Sequence, residues 1–174
     1  MWMIILGDSM LVRLGYVAIS TAINITSSSP YTYSEYLSKG NIDKLDNVIK
    51  SNLLSLEEIL KYNVKNNIHF YRMSSKIIPL ATKDDVKFNY TTKYKKYYNR
   101  ISKIINDNNL RVDFHPDQFC VLNSVKSDVV SASIDILKYH YSLLEALGIK
   151  NKILVLHVGS NSFGKDNSIR RFIN

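Results

Sequence analysis

Two of the four histidines stand at the ends of predicted β-strands, and imidazole is a preferred ligand of divalent metal ions. His115 ends a short strand that begins at Arg111, and His157 lies near the end of the apolar run 152–158. Adjacent parallel strands are about 4.8 Å apart, so the two rings can converge on one ion. Two imidazoles alone do not close a metal site, and a histidine at a strand end is also commonly a hydrogen-bonded structural residue.

The other histidines and the only cysteine are assigned structural roles. His69 opens a predicted strand, at the opposite end of the sheet from His115, and His140 lies within a predicted helix. Cys120 is expected to be a small buried side chain, because no base that would activate its thiol is evident. A single cysteine excludes an intrachain disulfide and a zinc ribbon, and it fits a reducing cytoplasm.

Four short apolar stretches predict the strands that position these residues, at Val12–Ala18, Ile68–Ser75, Arg111–His115 and Lys152–Val158. The last stretch is apolar on both faces, which is typical of a parallel strand covered by helices. Repeated βα units indicate an α/β protein with a parallel sheet, either doubly wound or a TIM (β/α)8 barrel. A complete barrel usually needs about 250 residues. The 174 residues therefore form about four βα units, as a partial barrel or a small open sheet.

Helical periodicity fills the intervals between the predicted strands. One apolar face runs from Ile42 to Val64, a Tyr- and Lys-rich helix is expected within 91–109, and a third helix from about Ser127 to Leu147. Gly148 is placed to end the third helix with a left-handed cap. A last helix at 168–174 is expected to be cut short. The whole chain, residues 1–174, is interpreted as one domain.

Composition favours a globular protein with a polyanionic partner. The chain is 45% hydrophobic and 22% charged, with a net charge of +8 and a pI near 9.4, and its second half carries most of the positive excess. No apolar run of about 18 residues predicts a membrane span. The apolar residues Trp2–Leu6 are followed at once by Asp8 and make a poor signal peptide.

Five motifs together resemble the UV damage endonucleases, DNA repair enzymes of the AP endonuclease/xylose isomerase-like TIM-barrel group. The resemblance runs in order from about Val12 to Asn174. Its most specific part is HPxQ[YF] followed some 40 residues later by LHxG. The motifs are RLGY at 13–16, YRMSSKIIPLAT at 71–82, HPDQF at 115–119, YHYSLLEALGI at 139–149 and VLHVGS at 155–160.

The resemblance implies a metal-dependent, ATP-independent endonuclease that nicks double-stranded DNA immediately 5′ of a UV photoproduct and leaves a 3′ hydroxyl. The family uses a cluster of divalent ions, commonly manganese, at the carboxyl mouth of the barrel. By motif, His115 and His157 would be metal ligands. Gln118 and Phe119 match the pair that probes the duplex at the lesion, and Tyr16 matches an aromatic residue that acts with them.

Binding of the DNA backbone requires cations, and several are available near the predicted strand ends. Arg72, which follows a strand and precedes two serines, is the better candidate for a phosphate contact. The run Lys93–Lys96 is interpreted as a solvated helix face.

Two departures from the family pattern bear on activity. Lys83 occupies a position where family members commonly carry histidine, which would alter any metal or phosphate contact made there. The sequence also stops at Asn174, before the fifth strand, whose bridging glutamate the metal cluster requires, and before the later Asp, Glu, His and modified Lys ligands. The 174 residues alone are therefore expected to be inactive as a nuclease and to leave two open strand edges.

Two alternatives stay open at this level. A metal-dependent sugar isomerase of the same barrel group would also place metal ligands at strand ends, although it would need neither a Gln118–Phe119 wedge nor a charge of +8. A noncatalytic nucleic-acid-binding fragment would account for the charge without catalysis.

Overall fold

A computed structural model of the chain describes residues 13–86 and 88–173. The predicted strand residue Val12 and the apolar run Trp2–Leu6 lie outside these described residues. The elements, in chain order, are β1 (Gly15–Val17), α1 (Tyr33–Lys39), α2 (Ile42–Lys65), β2 (Phe70–Met73), α3 (Tyr90–Lys93), α4 (Lys95–Asp107), β3 (Arg111–Phe114), α5 (Ser127–Ala146) and α6 (Lys165–Ile173).

The three strands form one parallel sheet in the order β1-β2-β3, which confirms the predicted α/β class and parallel pairing. Gly15 pairs with Phe70 at the start of the first two strands, and Phe70 pairs in turn with Arg111. A Cβ at residue 15 would lie 2.3 Å from the Phe70 carbonyl oxygen, so this close approach of the two strands requires glycine.

The predicted fourth strand, Lys152–Val158, is wrong in extent. Only Leu154 pairs with β3, in a parallel bridge to Phe114, where the Val155 amide donates to the Phe114 carbonyl at 3.0 Å. Residues 152–156 are half-buried and 157–158 are exposed. The apolar character of this segment predicted a full strand covered by helices on both faces. In the described residues the segment pairs only with β3, through the single bridge at Leu154.

The long helices follow the predicted periodicity. Helix α2 covers the expected range, and α5 ends one residue earlier than expected, where Gly148 has φ of 67°. The amides of Gly148 and Ile149 donate to the carbonyls of Glu145 and Leu144 at 2.8 and 3.0 Å, which is a Schellman cap. The helix predicted at 91–109 is broken at Tyr94, whose buried side chain donates to Asp46 Oδ1 at 2.8 Å.

The core lies between one face of the sheet and the long helices. Helix α2 contributes a continuous buried stripe, and α4 and α5 contribute shorter ones. Typical members of the core are Ile49, Leu53, Leu56, Leu60, Tyr71, Tyr98, Ile101, Phe114, Leu143 and Leu144. The opposite face of the sheet carries charged side chains from β2 and β3, so the sheet presents one packed face and one polar face. No helix of the described residues has the length and apolarity needed to cross a membrane.

Candidate metal and nucleic-acid site

The structure brings the two predicted metal-ligand histidines together. The rings of His115 and His157 have centroids 4.5 Å apart and an interplanar angle of 39°. The bridge between Phe114 and Leu154 causes this, because it holds the two chain segments side by side one residue before His115 and three residues before His157. His115 is half-buried and His157 is exposed, so the pair opens to solvent.

A buried ion pair lies on the same side of the sheet as His115. Arg72 donates through Nε to Asp113 Oδ1 at 2.8 Å and through Nη2 to Oδ2 at 3.3 Å, and the two residues are register partners. The Asp113 carboxylate is completely buried. Since side chains alternate along a strand, Asp113 and His115 point to the same face. The guanidinium is therefore oriented by a two-point contact beside the histidine pair.

The surroundings of His115 favour the neutral ring that a metal ligand must have. Partial burial lowers the pKa of His115, the neighbouring His157 and Arg72 lower it further, and Asp113 opposes the shift. A neutral imidazole nitrogen can bind a first-row divalent ion, so His115 fits this role, and His157 beside it offers a second imidazole. Within residues 13–86 and 88–173, no group of three or more His, Cys, Asp or Glu side chains is placed to hold a metal ion, so the histidine pair by itself is not a complete metal site.

The loop after β3 projects the predicted DNA probe into solvent. Asp117 Oδ1 accepts from the Phe119 amide at 2.8 Å, and the Asp117 carbonyl accepts from the Cys120 amide at 3.0 Å, which makes a tight turn. Phe119 is 72% exposed and Gln118 is exposed beside it. Cys120 is buried, as predicted, and therefore anchors the turn.

Tyr16 is not brought to the histidine side of the sheet. Its hydroxyl donates to Asn63 Oδ1 at 2.9 Å, and its ring lies 5.1 Å from that of Tyr71, its register partner on β2. Alternation along the strands places this face opposite to Arg72 and Asp113, towards α2. Partial burial raises the pKa of the Tyr16 hydroxyl. The DNA contact assigned to Tyr16 stays a prediction.

Comparison of the sequence and the fold with known proteins assigns the chain to a family. The sequence model described as UV-endonuclease UvdE matches residues 12–174, nearly the whole chain. The chain belongs to the UvdE family. A UV DNA damage endonuclease of Bacillus cereus strain B4264 is 37% identical over 168 residues, which cover 94% of this chain and 53% of that protein. One of Bacillus anthracis is 38% identical over 170 residues, with the same coverage.

A solved structure shows the same fold. The crystal structure of SacUVDE superposes with a TM-score of 0.85 at 38% sequence identity, over 92% of this chain and 54% of that one. The chain thus spans about half the length of the relatives it matches. The histidine pair and the Phe119 turn both lie within residues 12–174, the range that the UvdE model matches.

Lys83, where the resemblance led us to expect histidine, lies on the surface. Lys83 is exposed, and its Nζ lies 4.9 Å from the centroid of the Tyr33 ring, a cation–π contact. The Tyr33 hydroxyl donates to Asp85 Oδ2 at 2.6 Å. The Lys83 side chain is therefore accommodated by a tyrosine of α1 and contributes a positive charge to the surface.

One residue of the site was missed by sequence reasoning. Asn123 is completely buried and joins the loop after β3 to the loop after His157. Its Oδ1 accepts from the Ser160 amide at 2.7 Å, and its Nδ2 donates to the Ser160 carbonyl at 2.9 Å and to Ser168 Oγ at 2.7 Å. Arg171 Nε donates to the Asn123 carbonyl at 2.9 Å. An asparagine in a loop carries no periodic signal, so only the folded contacts reveal this role.

The predicted structural role of His140 agrees with its environment. The ring is 1% exposed, packs 4.9 Å from the Phe114 ring and donates through Nδ1 to the Ile136 carbonyl at 2.8 Å. Burial lowers the pKa of His140 to about 4, so the ring is neutral at physiological pH. Of the run Lys93–Lys96, the three lysines are exposed, as predicted for a solvated face, whereas Tyr94 is buried and Lys93 Nζ lies 2.9 Å from Asp46 Oδ1.

Proposed function

We propose that a protein containing this chain nicks DNA immediately 5′ of UV photoproducts by metal-dependent hydrolysis of the phosphodiester. The observation that carries the proposal is the placement of an exposed Phe119 in the turn that directly follows one histidine of a converging pair. This arrangement puts a side chain able to enter a duplex beside nitrogens able to hold a divalent ion. Family membership supports the same reaction class.

His115 and His157 would hold a divalent ion, and manganese is the ion that the resemblance implies. Such an ion, when bound, supplies a nucleophilic water near neutral pH and offsets charge on the phosphate. The chain's own part is to favour the neutral form of the His115 imidazole and to fix the separation of the two rings through the bridge at Leu154. The buried Asp113 keeps Arg72 beside them, oriented towards the same face.

Phe119 and Gln118 would recognise the lesion as a weak point in the stack. A photoproduct is already poorly stacked, so extruding it from the helix costs less than extruding normal bases. An aromatic wedge with an amide beside it can then fill the gap. The exposure of both side chains on a tight, anchored turn suits this role, because little ordering is needed when they insert.

Arg72 is proposed to contact a DNA phosphate, and Tyr16 to act with the wedge. Arg72 is 22% exposed in its side chain and keeps donor atoms beyond those given to Asp113. In this structure Tyr16 lies towards α2 and helps to fix the position of β1 through the hydrogen bond that its hydroxyl donates to Asn63.

The four βα segments are proposed to be the first half of a TIM-type barrel. The relatives are about twice as long, and the parallel order β1-β2-β3 followed by Leu154 is the order of successive barrel strands. Residues 1–174 by themselves are proposed to bind damaged DNA without cutting it. The histidine pair supplies two nitrogens, while the bridging glutamate is expected beyond Asn174.

Nicking of supercoiled plasmid tests the proposal. The chain, and a chimera in which the second half of the Bacillus cereus relative follows Asn174, are incubated with UV-irradiated or undamaged plasmid, with Mn²⁺ or with chelator. We expect the chimera to nick irradiated plasmid only, in the presence of Mn²⁺, and to lose this activity when His157 is replaced by Gln. Equal nicking of irradiated and undamaged plasmid, or nicking that continues in the presence of chelator, contradicts the proposal.

A further inference from the structure

Phe163, in the loop that follows His157, is presented to solvent in an unusual way. Among the described residues it has the largest exposed fraction of any large hydrophobic side chain, 79%. Its φ is 61°, in the left-handed region that disfavours residues with a Cβ, and Gly164 follows with φ of 89°. A strained backbone that exposes an aromatic ring does not stabilise the loop or the core. We therefore infer that the Phe163 ring contacts another molecule.

The loop around Phe163 is firmly held, so the exposure of the ring does not come from a loose segment. Asn123 fixes Ser160 through both its amide donor and its acceptor. Arg171 Nη2 donates to the Ser162 carbonyl at 2.7 Å, one residue before Phe163. Asn167 Nδ2 donates to the carbonyl of Phe163 itself at 2.8 Å. The ring therefore projects from a rigid support.

The Phe163 loop lies against the Phe119 loop. A Cβ at residue 159 would lie 2.5 Å from Val121 Cγ1 and 2.6 Å from Asn123 Oδ1, so the two loops touch and glycine is required at the contact. Each loop follows one histidine of the pair. Two exposed phenylalanines, Phe119 and Phe163, thus stand on the two loops that flank the candidate site.

Exposed cations flank the two phenylalanine loops along the chain. Lys165 and Arg170 on α6 are exposed, as is Lys126 at the end of the Phe119 loop. Exposed aromatic rings set among cations are the combination that binds single-stranded or unstacked nucleic acid, where bases stack on the rings and cations contact the backbone. A binding site for an apolar protein surface would not need these positive side chains.

We propose that Phe163 is a second base-stacking residue, which binds the face of an unstacked base in DNA opened beside the histidine pair. This inference rests on the proposed function for its substrate. Phe119 would enter the duplex from one loop, and Phe163 would cover a base exposed by that entry from the other. Stacking needs no hydrogen-bond code, so the contact tolerates any base sequence.

The test uses the 174-residue chain and a single-stranded oligo-dT probe, with affinity measured by fluorescence anisotropy. Phe163→Ala is expected to weaken binding about tenfold, the loss of one base–aromatic stack. The matched control Leu54→Ala removes an exposed apolar side chain from α2 and should leave the affinity unchanged. In Phe163→Trp, indole emission should be quenched when the oligonucleotide binds.

Phe163→Gly separates stacking from folding. Glycine adopts φ of 61° without strain, so this variant should unfold at the same or a higher temperature while losing the same affinity as Phe163→Ala. Unchanged affinity in both variants overturns the inference. So does a loss of self-association in Phe163→Ala with DNA binding intact, since that would assign the ring to a protein contact.

The single-stranded probe also keeps this inference distinct from the proposed function. A chain that binds oligo-dT through Phe163 but does not prefer irradiated duplex would contradict lesion recognition and support the stacking role. A chain that prefers irradiated duplex equally with and without Phe163 would support lesion recognition and overturn the stacking role. Absence of binding to either DNA would overturn both.

Discussion

Arg72 and Asp113 form the ion pair on which the phosphate-contact proposal depends. Replacing Arg72 alone would leave the completely buried Asp113 carboxylate with only a 3.9 Å contact to Arg111 Nη2, a loss of about 3 kcal/mol that would obscure any effect on DNA. The double variant Arg72→Gln/Asp113→Asn removes both charges, keeps the net charge and retains hydrogen-bonding groups. It therefore isolates the contact of the guanidinium with DNA.

We expect this double variant to bind irradiated duplex more weakly and to lower the slope of log affinity against log salt by about one. Lys95→Gln, on the exposed side of α4, serves as a control for a cation without a predicted contact. Anisotropy titrations over a salt series supply the slopes. A slope in the double variant equal to that of the unmodified chain would remove Arg72 from the interface.

His140 predicts the pH dependence of stability. Its pKa is about 4 in the folded chain and near the ordinary 6.5 when unfolded, so the unfolded state binds more protons between these values. The free energy of unfolding should therefore fall by roughly 3 kcal/mol as pH decreases from 6.5 to 4. Urea denaturation of His140→Phe should show a smaller fall, whereas His69→Gln, at an exposed residue, should keep it. Equal pH dependence in all three proteins would refute the assignment.

Single residues differ in how far sequence predicts them. The convergence of His115 and His157 follows from strand spacing and parallel pairing, and the structure confirms it. The side on which Tyr16 lies could not be predicted, because a shift of one residue in a three-residue strand reverses the face. Asn123 was missed, since its partners Ser160 and Ser168 are distant in sequence and share no pattern with it.

At the scale of elements, the two loops that carry the site are joined by Asn123 rather than by helix packing. Asn123→Ala would leave the Ser160 amide and carbonyl and Ser168 without this partner, at a cost of about 2–3 kcal/mol in stability. It should also weaken divalent-metal binding, because His157 would lose its fixed position. The control Asn167→Ala removes one exposed hydrogen bond and should cost under about 1 kcal/mol.

Chemical denaturation and metal titration of both variants check this prediction. A variant with lower stability but undiminished metal affinity would show that the bridge at Leu154 alone fixes His157. Equal losses in Asn123→Ala and Asn167→Ala would show that the buried network has no special role.

Elements with a strong hydrophobic periodicity could be predicted from the sequence. Features that depend on a single side-chain contact could not. Helix α2 carries an apolar stripe along its whole length, so its bounds were predicted within a residue or two. The break at Tyr94 depends on a hydrogen bond to Asp46 on another helix, which periodicity does not contain. Helix α1 has no buried residue, so it left no apolar pattern, and its local signals are the caps at Thr32 and Gly40.

At the scale of the whole molecule, charge and architecture agree with the proposed action on DNA. The chain carries +8, and its parallel sheet places the histidine pair, Phe119 and Phe163 on neighbouring loops at one end. The parallel α/β architecture was predictable from alternating strand and helix periods. The number of βα units in the complete fold was not settled by periodicity, and the half-length match to the relatives supports the partial-barrel proposal.

Binding of Mn²⁺ to the chain, followed by loss of the free-ion EPR signal, is the most direct test of the metal site. We expect one weak site in the unmodified chain, which is lost in His115→Gln and in His157→Gln and retained in His69→Gln. Binding that survives replacement of both His115 and His157, or that His69→Gln abolishes equally, would contradict a divalent-metal site at this pair of histidines.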